Sequence, residues 1–145
     1  MPDPAYSPKR PTGSLDPDAN VQPKPVRWIG GTKDDVSGFP PDVRRRVGNA
    51  LWRAQLGRKV LYAKPLKGFG DAGVLEIVDD HDGDTFRAVY TVRFARAVYV
   101  LHAFQKKSRH GIATPKAELQ RITRRLREAR EDYEQWLSAE TLTRA

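Results

Sequence analysis

Two β-like stretches carry the ionisable side chains best suited to act on a substrate. Arg87 interrupts an otherwise apolar run over residues 85–94. In a strand it shares a face with Val89 and Thr91, while Ala88 and Tyr90 face the other way. Over residues 97–104, His102 alternates onto the side of Val98, Val100 and Phe104, and the run ends in Lys106 and Lys107. Adjacent strands would gather Arg87, Tyr90, His102, Lys106 and Lys107 at one end of a sheet. Cations with an aromatic ring among them suit RNA, because cations neutralise phosphate and rings stack on unpaired bases. The same set suits metal-free RNA cleavage. There the 2′-hydroxyl attacks the adjacent phosphate and a base takes its proton. Cations stabilise the phosphoryl oxygens, and an acid protonates the leaving 5′-oxygen. Each residue also has a plainer reading: an arginine on a wet sheet face, a packed histidine, solvated loop lysines.

Composition removes other chemistries. The chain has 145 residues, no cysteine and three scattered histidines, so disulfides and thiolate metal sites are excluded and no metal or cofactor is expected. Gly68-Phe69-Gly70-Asp71-Ala72-Gly73 matches GxGxxG by letter. A dinucleotide site needs that motif to leave a strand and open a helix, whereas here it leaves a loop and enters a strand. The acidic run from Asp79 to Asp84, with Gly83 in sixth place, would make Val78 and Val89 the first and twelfth calcium ligands. Neither has a side-chain oxygen, so a hairpin loop is expected, with His81 exposed in it. No apolar run approaches the roughly 18–20 residues of a membrane span, and the first residues have no basic and apolar signal. A soluble, cytoplasmic protein without membrane partners is expected. The net charge of +8 points to an anionic partner. The excess is local: residues 93–130 hold eleven basic groups against Glu118 and Glu128. A localised excess marks a binding face.

The elements that must position these groups follow from patterning. Residues 1–24 read as a disordered or loosely attached proline-rich tail, 25–138 as the folded domain, and 139–145 as a frayed C-terminus. Val26, Trp28 and Ile29 make a short strand. Thr32 and Asp35 resemble a capping box for a short helix through Ser37. Pro40-Pro41-Asp42 opens a stronger helix carrying Val43, Val47, Ala50, Leu51 and Ala54, with Gly57 as its stop. Residues 58–73 read as a long loop. Strands over 74–78, 85–94 and 97–104, with a polar turn over 79–84, form an antiparallel meander. Thr114 as N-cap and Pro115 in the first position start the clearest helix. Its apolar stripe is Leu119, Ile122, Leu126, Ala129, Tyr133 and Trp136, with Arg121, Arg124 and Arg125 opposite. The order β-α-α-β-β-β-α predicts an α+β fold, with helices packed on one side of a small antiparallel sheet.

The run Phe86-Arg87-Ala88-Val89-Tyr90-Thr91, then Val98 through Ser108, then Ala113-Thr114-Pro115, resembles the RelE/ParE toxin superfamily, and within it the HigB-like, phage-derived branch. Lys64-Pro65-Leu66-Lys67-Gly68 and Gly73-Val74-Leu75-Glu76-Ile77 fit the same pattern, so the resemblance spans roughly residues 26–136. It implies a small RelE-like domain and a type II toxin that enters the ribosome and cuts mRNA. The implied partners are the ribosome, mRNA and a cognate antitoxin, HigA-like and with a helix-turn-helix. Operator DNA would be met only through the antitoxin complex. Arg87 matches the arginine that holds the scissile phosphate, and Lys106 or Lys107 the basic residue that stabilises the transition state. His102 is the candidate for proton transfer. Glu76 is the ionisable residue on the strand where RelE carries its catalytic lysines. Lys67, Tyr90, Arg109, His110, Arg121, Arg124 and Arg125 form the implied RNA-binding set. The chain departs from the pattern at Val78, where the branch writes arginine, and after Lys107, where RelE's late tyrosine has no counterpart and His110 is the nearest ring. The alternatives are a non-catalytic ParE-like poison of DNA gyrase and an inactive homologue that only binds its antitoxin.

Overall fold

The computed structural model describes residues 20–70, 73–106 and 114–144. Its elements are β1 (Val26–Trp28), α1 (Thr32–Ser37), α2 (Pro41–Gln55), β2 (Ala63–Pro65), β3 (Val74–His81), β4 (Asp84–Thr91), β5 (Val98–Lys106) and α3 (Lys116–Arg144). The α+β class and the antiparallel β3-β4-β5 meander agree with the sequence reading and with a small RelE-like domain.

Three features of the sheet differ from expectation. It has five strands in the order β1-β5-β4-β3-β2, and β1 runs parallel to β5, so the sheet is mixed. Part of the expected 58–73 loop is β2, which pairs with Leu75–Ile77 of β3. Three residues with a proline are too few to show alternation, and proline is tolerated there because β2 is an edge. The helices cover both faces rather than one. On one face, α2 places Val43, Val47, Ala50, Leu51 and Ala54 against Ile77, Phe86, Ala88, Tyr90, Val98 and Val100. On the other, Ile122 and Ala129 of α3 meet Val89, Tyr99 and Leu101. The reason is legible in β4, where every residue after Asp84 is buried. A strand buried on both faces needs cover on both.

Local chemistry sets the remaining details. The 79–84 turn shrinks to Asp82-Gly83, because His81 pairs with Asp84. Both turn residues have positive φ, 51° and 85°, as a two-residue type I′ hairpin requires. No capping box forms at α1: Gly31 is the N-cap, and Thr32 lies inside the helix, its hydroxyl without a hydrogen-bond partner among the described residues. Pro41 sits in the first turn of α2. The entering chain is pinned to the end of α2, since Lys24 N–H donates to Gln55 O and Gln55 Nε2 donates to Lys24 O. Residues 1–19 of the expected tail lie outside the described residues.

α3 spans about 43 Å at 1.5 Å per residue and runs to Arg144, beyond the expected boundary at 138. Its C-terminal half is tied to the sheet by Asp132, which accepts from Arg27 Nε and from Tyr99 Oη, each at 2.6 Å. Arg27 and Arg96 both lie over the Trp136 ring. Among the described residues no helix is long and apolar enough to cross a membrane.

Candidate functional site

A register shift decides what faces α3. Val89 pairs with His102 but Tyr90 pairs with Val100, which leaves Leu101 as an extra residue in β5. Such a bulge moves all following side chains to the opposite face from simple alternation. His102 therefore lies on the side of Tyr99 and Leu101, under α3, and not with Val98 and Val100. Phe104 follows it, and their rings stack with centroids 4.8 Å apart.

The first polar cluster joins β3, β4 and the entry to α3. Arg87 Nη1 donates to Glu76 Oε2 at 3.0 Å and to Thr114 Oγ1 at 3.4 Å. Thr114 Oγ1 donates to the same Glu76 oxygen at 2.6 Å. The side chains of Arg87 and Glu76 are only 4% and 13% exposed. The plainer reading of Arg87, a wet sheet face, gives way to a buried ion pair that Thr114, at the entry to α3, completes. A charge at that depth must be matched by an opposite one. Thr114, expected as a helix cap, spends its hydroxyl on the pair.

The second cluster joins β5 to α3. His102 Nε2 lies 3.1 Å from Glu118 Oε2, and His102 Nδ1 lies 3.0 Å from Arg125 Nη1. A guanidinium only donates, so Nδ1 accepts and Nε2 carries the proton that binds Glu118. Burial pushes the imidazole below its ordinary value of 6.5; Glu118 opposes this, and the charges of Arg125 and Arg121 reinforce it. His102 is therefore neutral at pH 7 in the Nε2–H form. Arg125 is fixed in turn: Nη1 also donates to Leu101 O at 3.1 Å. Gly30, at φ +62°, sits so close that a Cβ there would lie 2.9 Å from Arg125 Nη2. Arg125 was expected on the solvent face of α3. It turns to the sheet instead, and desolvation lowers its pKa, with Arg121 adding to the effect. Phe104, paired with Arg87 and stacked on His102, links the two clusters.

The other sequence candidates scatter. Lys106 ends β5, half-buried and paired with Thr85. Arg121 and Arg124 are exposed on α3, in ion pairs with Glu118 and Glu128 at 3.7 and 3.8 Å. Lys67 is exposed in the turn after β2. Tyr90 is buried on the α2 face and separated by the sheet from Arg87 and His102. Lys107, Arg109 and His110 lie outside the described residues. Glu76, Arg87, His102 and Arg125 are therefore brought to one face, and Tyr90 is not. Sequence reasoning missed Thr114, Glu118 and Gly30 as parts of the site. The signal for Glu118 was its spacing: Thr114, Glu118 and Arg125 recur by four and seven, beside the apolar stripe.

Chemically, each cluster sets one carboxylate, Glu76 or Glu118, beside a donor of fixed geometry. A phosphate entering here would compete with Glu76 for Arg87. Glu118, 21% exposed at its side chain, reaches further toward solvent than Glu76.

Comparison with known families matches residues 34–127 to the family described as phage derived protein Gp49-like (DUF891). The matched segment contains every member of both clusters except Gly30. No curated protein and no solved structure matches the chain.

Proposed function

This chain belongs to the Gp49-like family of phage-derived proteins, a family of the RelE/toxin-type superfamily whose members are often toxin-like, and on that premise we propose that it is the toxin of a type II toxin–antitoxin pair. In this reading it is of the HigB-like branch and acts as a ribosome-dependent, metal-independent mRNA endoribonuclease in the cytoplasm. The observation that carries the reading is the placement of Arg87, Glu76, His102 and Glu118 on one sheet face, with Lys106 at the end of the same strand as His102.

In this reading the work divides among these groups. Arg87 turns from Glu76 to the scissile phosphate and holds its oxygens. Glu76, released, takes the proton of the 2′-hydroxyl, whose oxygen bonds to phosphorus. Lys106, with Lys107 beside it in sequence, stabilises the charge and gives a proton to the leaving 5′-oxygen. Neutral His102 is a weak acid and serves to position Glu118. Arg121 and Arg124 meet RNA phosphates, and a HigA-like antitoxin silences the toxin.

The depth of Arg87 favours a second reading. An arginine held permanently by Glu76 would leave an inactive homologue that binds its antitoxin, or a gyrase poison, without cutting RNA. Induced expression separates the two. The nuclease reading expects growth arrest with a halt in translation, lost in Lys106→Ala and relieved by the product of the adjacent antitoxin gene. Arrest that persists in Lys106→Ala, with translation running, supports the gyrase poison instead, and no arrest by the wild type supports the inactive homologue.

A further inference from the structure

A cleft of about 540 Å³ opens on the α2 side of the sheet, across from the two polar clusters. Its size lies within the range of small-molecule sites, roughly 300–1,000 Å³. Ala54, Val60, Leu75 and Val92 give it apolar walls, and Lys24, Arg58 and Lys59 are the charged residues that line it. Among the described residues no carboxylate lines it. Lys24 is held in place by its two main-chain bonds to Gln55.

Tyr90 also lines this cleft. It is 1% exposed, and its hydroxyl has no hydrogen-bond partner among the described residues. Burial raises the phenol well above its usual range, so it stays a donor at every physiological pH. A buried hydroxyl with no acceptor is costly, and such exceptions call for a missing partner. Apolar walls exclude a strongly hydrated ligand. Lys24 and Lys59, with no carboxylate among the described lining residues, favour an anion over a cation.

We infer that this cleft binds a small organic anion with an apolar body, a carboxylate whose chain packs on Val60, Leu75 and Val92. Its oxygens accept from Tyr90 Oη and face the ammonium groups of Lys24 and Lys59. The inference is independent of the toxin reading, because it concerns the opposite face of the sheet.

The test is a titration of the isotopically labelled full chain with octanoate, and with octan-1-ol as the uncharged comparator, followed by amide NMR. Octanoate should shift the amides of Ala54, Val60, Leu75 and Val92 saturably and leave those of Glu118 and Arg125 in place. Octan-1-ol should bind about tenfold more weakly, as should octanoate to Tyr90→Phe, since a hydrogen bond to a charged group is lost. The paired variant Lys24→Ala, Lys59→Ala should weaken octanoate by a similar factor. Tyr90→Phe should melt no lower than wild type, because it removes an unsatisfied group. Equal binding of the two probes, shifts on both faces, or no saturable shift would overturn the inference. So would a Tyr90→Phe that binds octanoate normally and melts lower, which would mark an ordered water as the hydroxyl's partner.

Discussion

His102 Nδ1 accepts a hydrogen bond from Arg125 Nη1 at 3.0 Å, and this contact fixes where the imidazole proton lies. Protonating Nδ1 would place an N–H against a donor, so the contact and the burial both hold the ring neutral. Glu118 is thereby offered one donor of fixed direction.

A pH dependence of stability follows from this arrangement. The folded pKa of His102 lies below 6.5. Between the two values the unfolded chain binds more protons, so stability rises with pH there. The contribution is fully present above 6.5 and is lost as pH falls toward the folded pKa. Urea unfolding from pH 7.5 to pH 5 should show the loss, and His102→Gln should show a shallower slope over the same range. Imidazole ¹⁵N shifts should report the Nε2–H tautomer at pH 7.5.

Gly30 and Gly57 separate backbone strain from contact. Both have positive φ, +62° and +76°, but a Cβ at Gly57 meets nothing within 4 Å. Gly57→Ala should cost only the left-handed penalty of about 1–2 kcal/mol. Gly30→Ala should cost more, since Arg125 must also move, and it should free the Nδ1 of His102. Urea midpoints and the His102 ¹⁵N shifts check both parts.

The Arg87–Glu76 pair should be strongly non-additive. Arg87→Ala leaves a buried carboxylate without its cation and should destabilise by about 3–5 kcal/mol. Replacing both, as Arg87→Met with Glu76→Leu, should recover most of that loss. A double-mutant cycle from urea unfolding measures the coupling.

Asp132 tests the anchor of the C-terminal half of α3. The Arg27 hydrogen bond, with help from Tyr99, holds its carboxyl below 3.8. Its contribution is present above that value and fades as pH falls toward the folded pKa. The side chains of Arg27 and Asp132 are 36% and 37% exposed, so solvent screens the pair and the effect is modest. Asp132→Asn should speed amide exchange in residues 130–140 more than in residues 118–126.

These relationships were unevenly legible in sequence. Arg87 stood out because an arginine inside an apolar run demands an explanation, and its strand neighbours were read correctly. The face of His102 was misread because residues 97–104 are apolar on both sides, so the extra residue at Leu101 leaves no break in the pattern. That same two-sided apolar character calls for cover on both faces of the sheet, a signal that the expectation of one-sided packing leaves unused. Tyr90 stands three residues from Arg87, an odd number of strand steps, so it lies across the sheet. Glu118 and Arg125 looked like solvated helix charges. Only the approach of β5 to α3 makes them partners of His102.

The central claim is most directly tested by primer extension on a reporter mRNA in a reconstituted translation system, with and without ribosomes, comparing wild type with Lys106→Ala. The account predicts cuts within codons that need ribosomes and weaken at least tenfold in the variant, as expected for loss of a charge-stabilising or proton-transfer group. Absence of cuts by folded wild-type protein while translation continues, or equal cutting by both proteins, would contradict it.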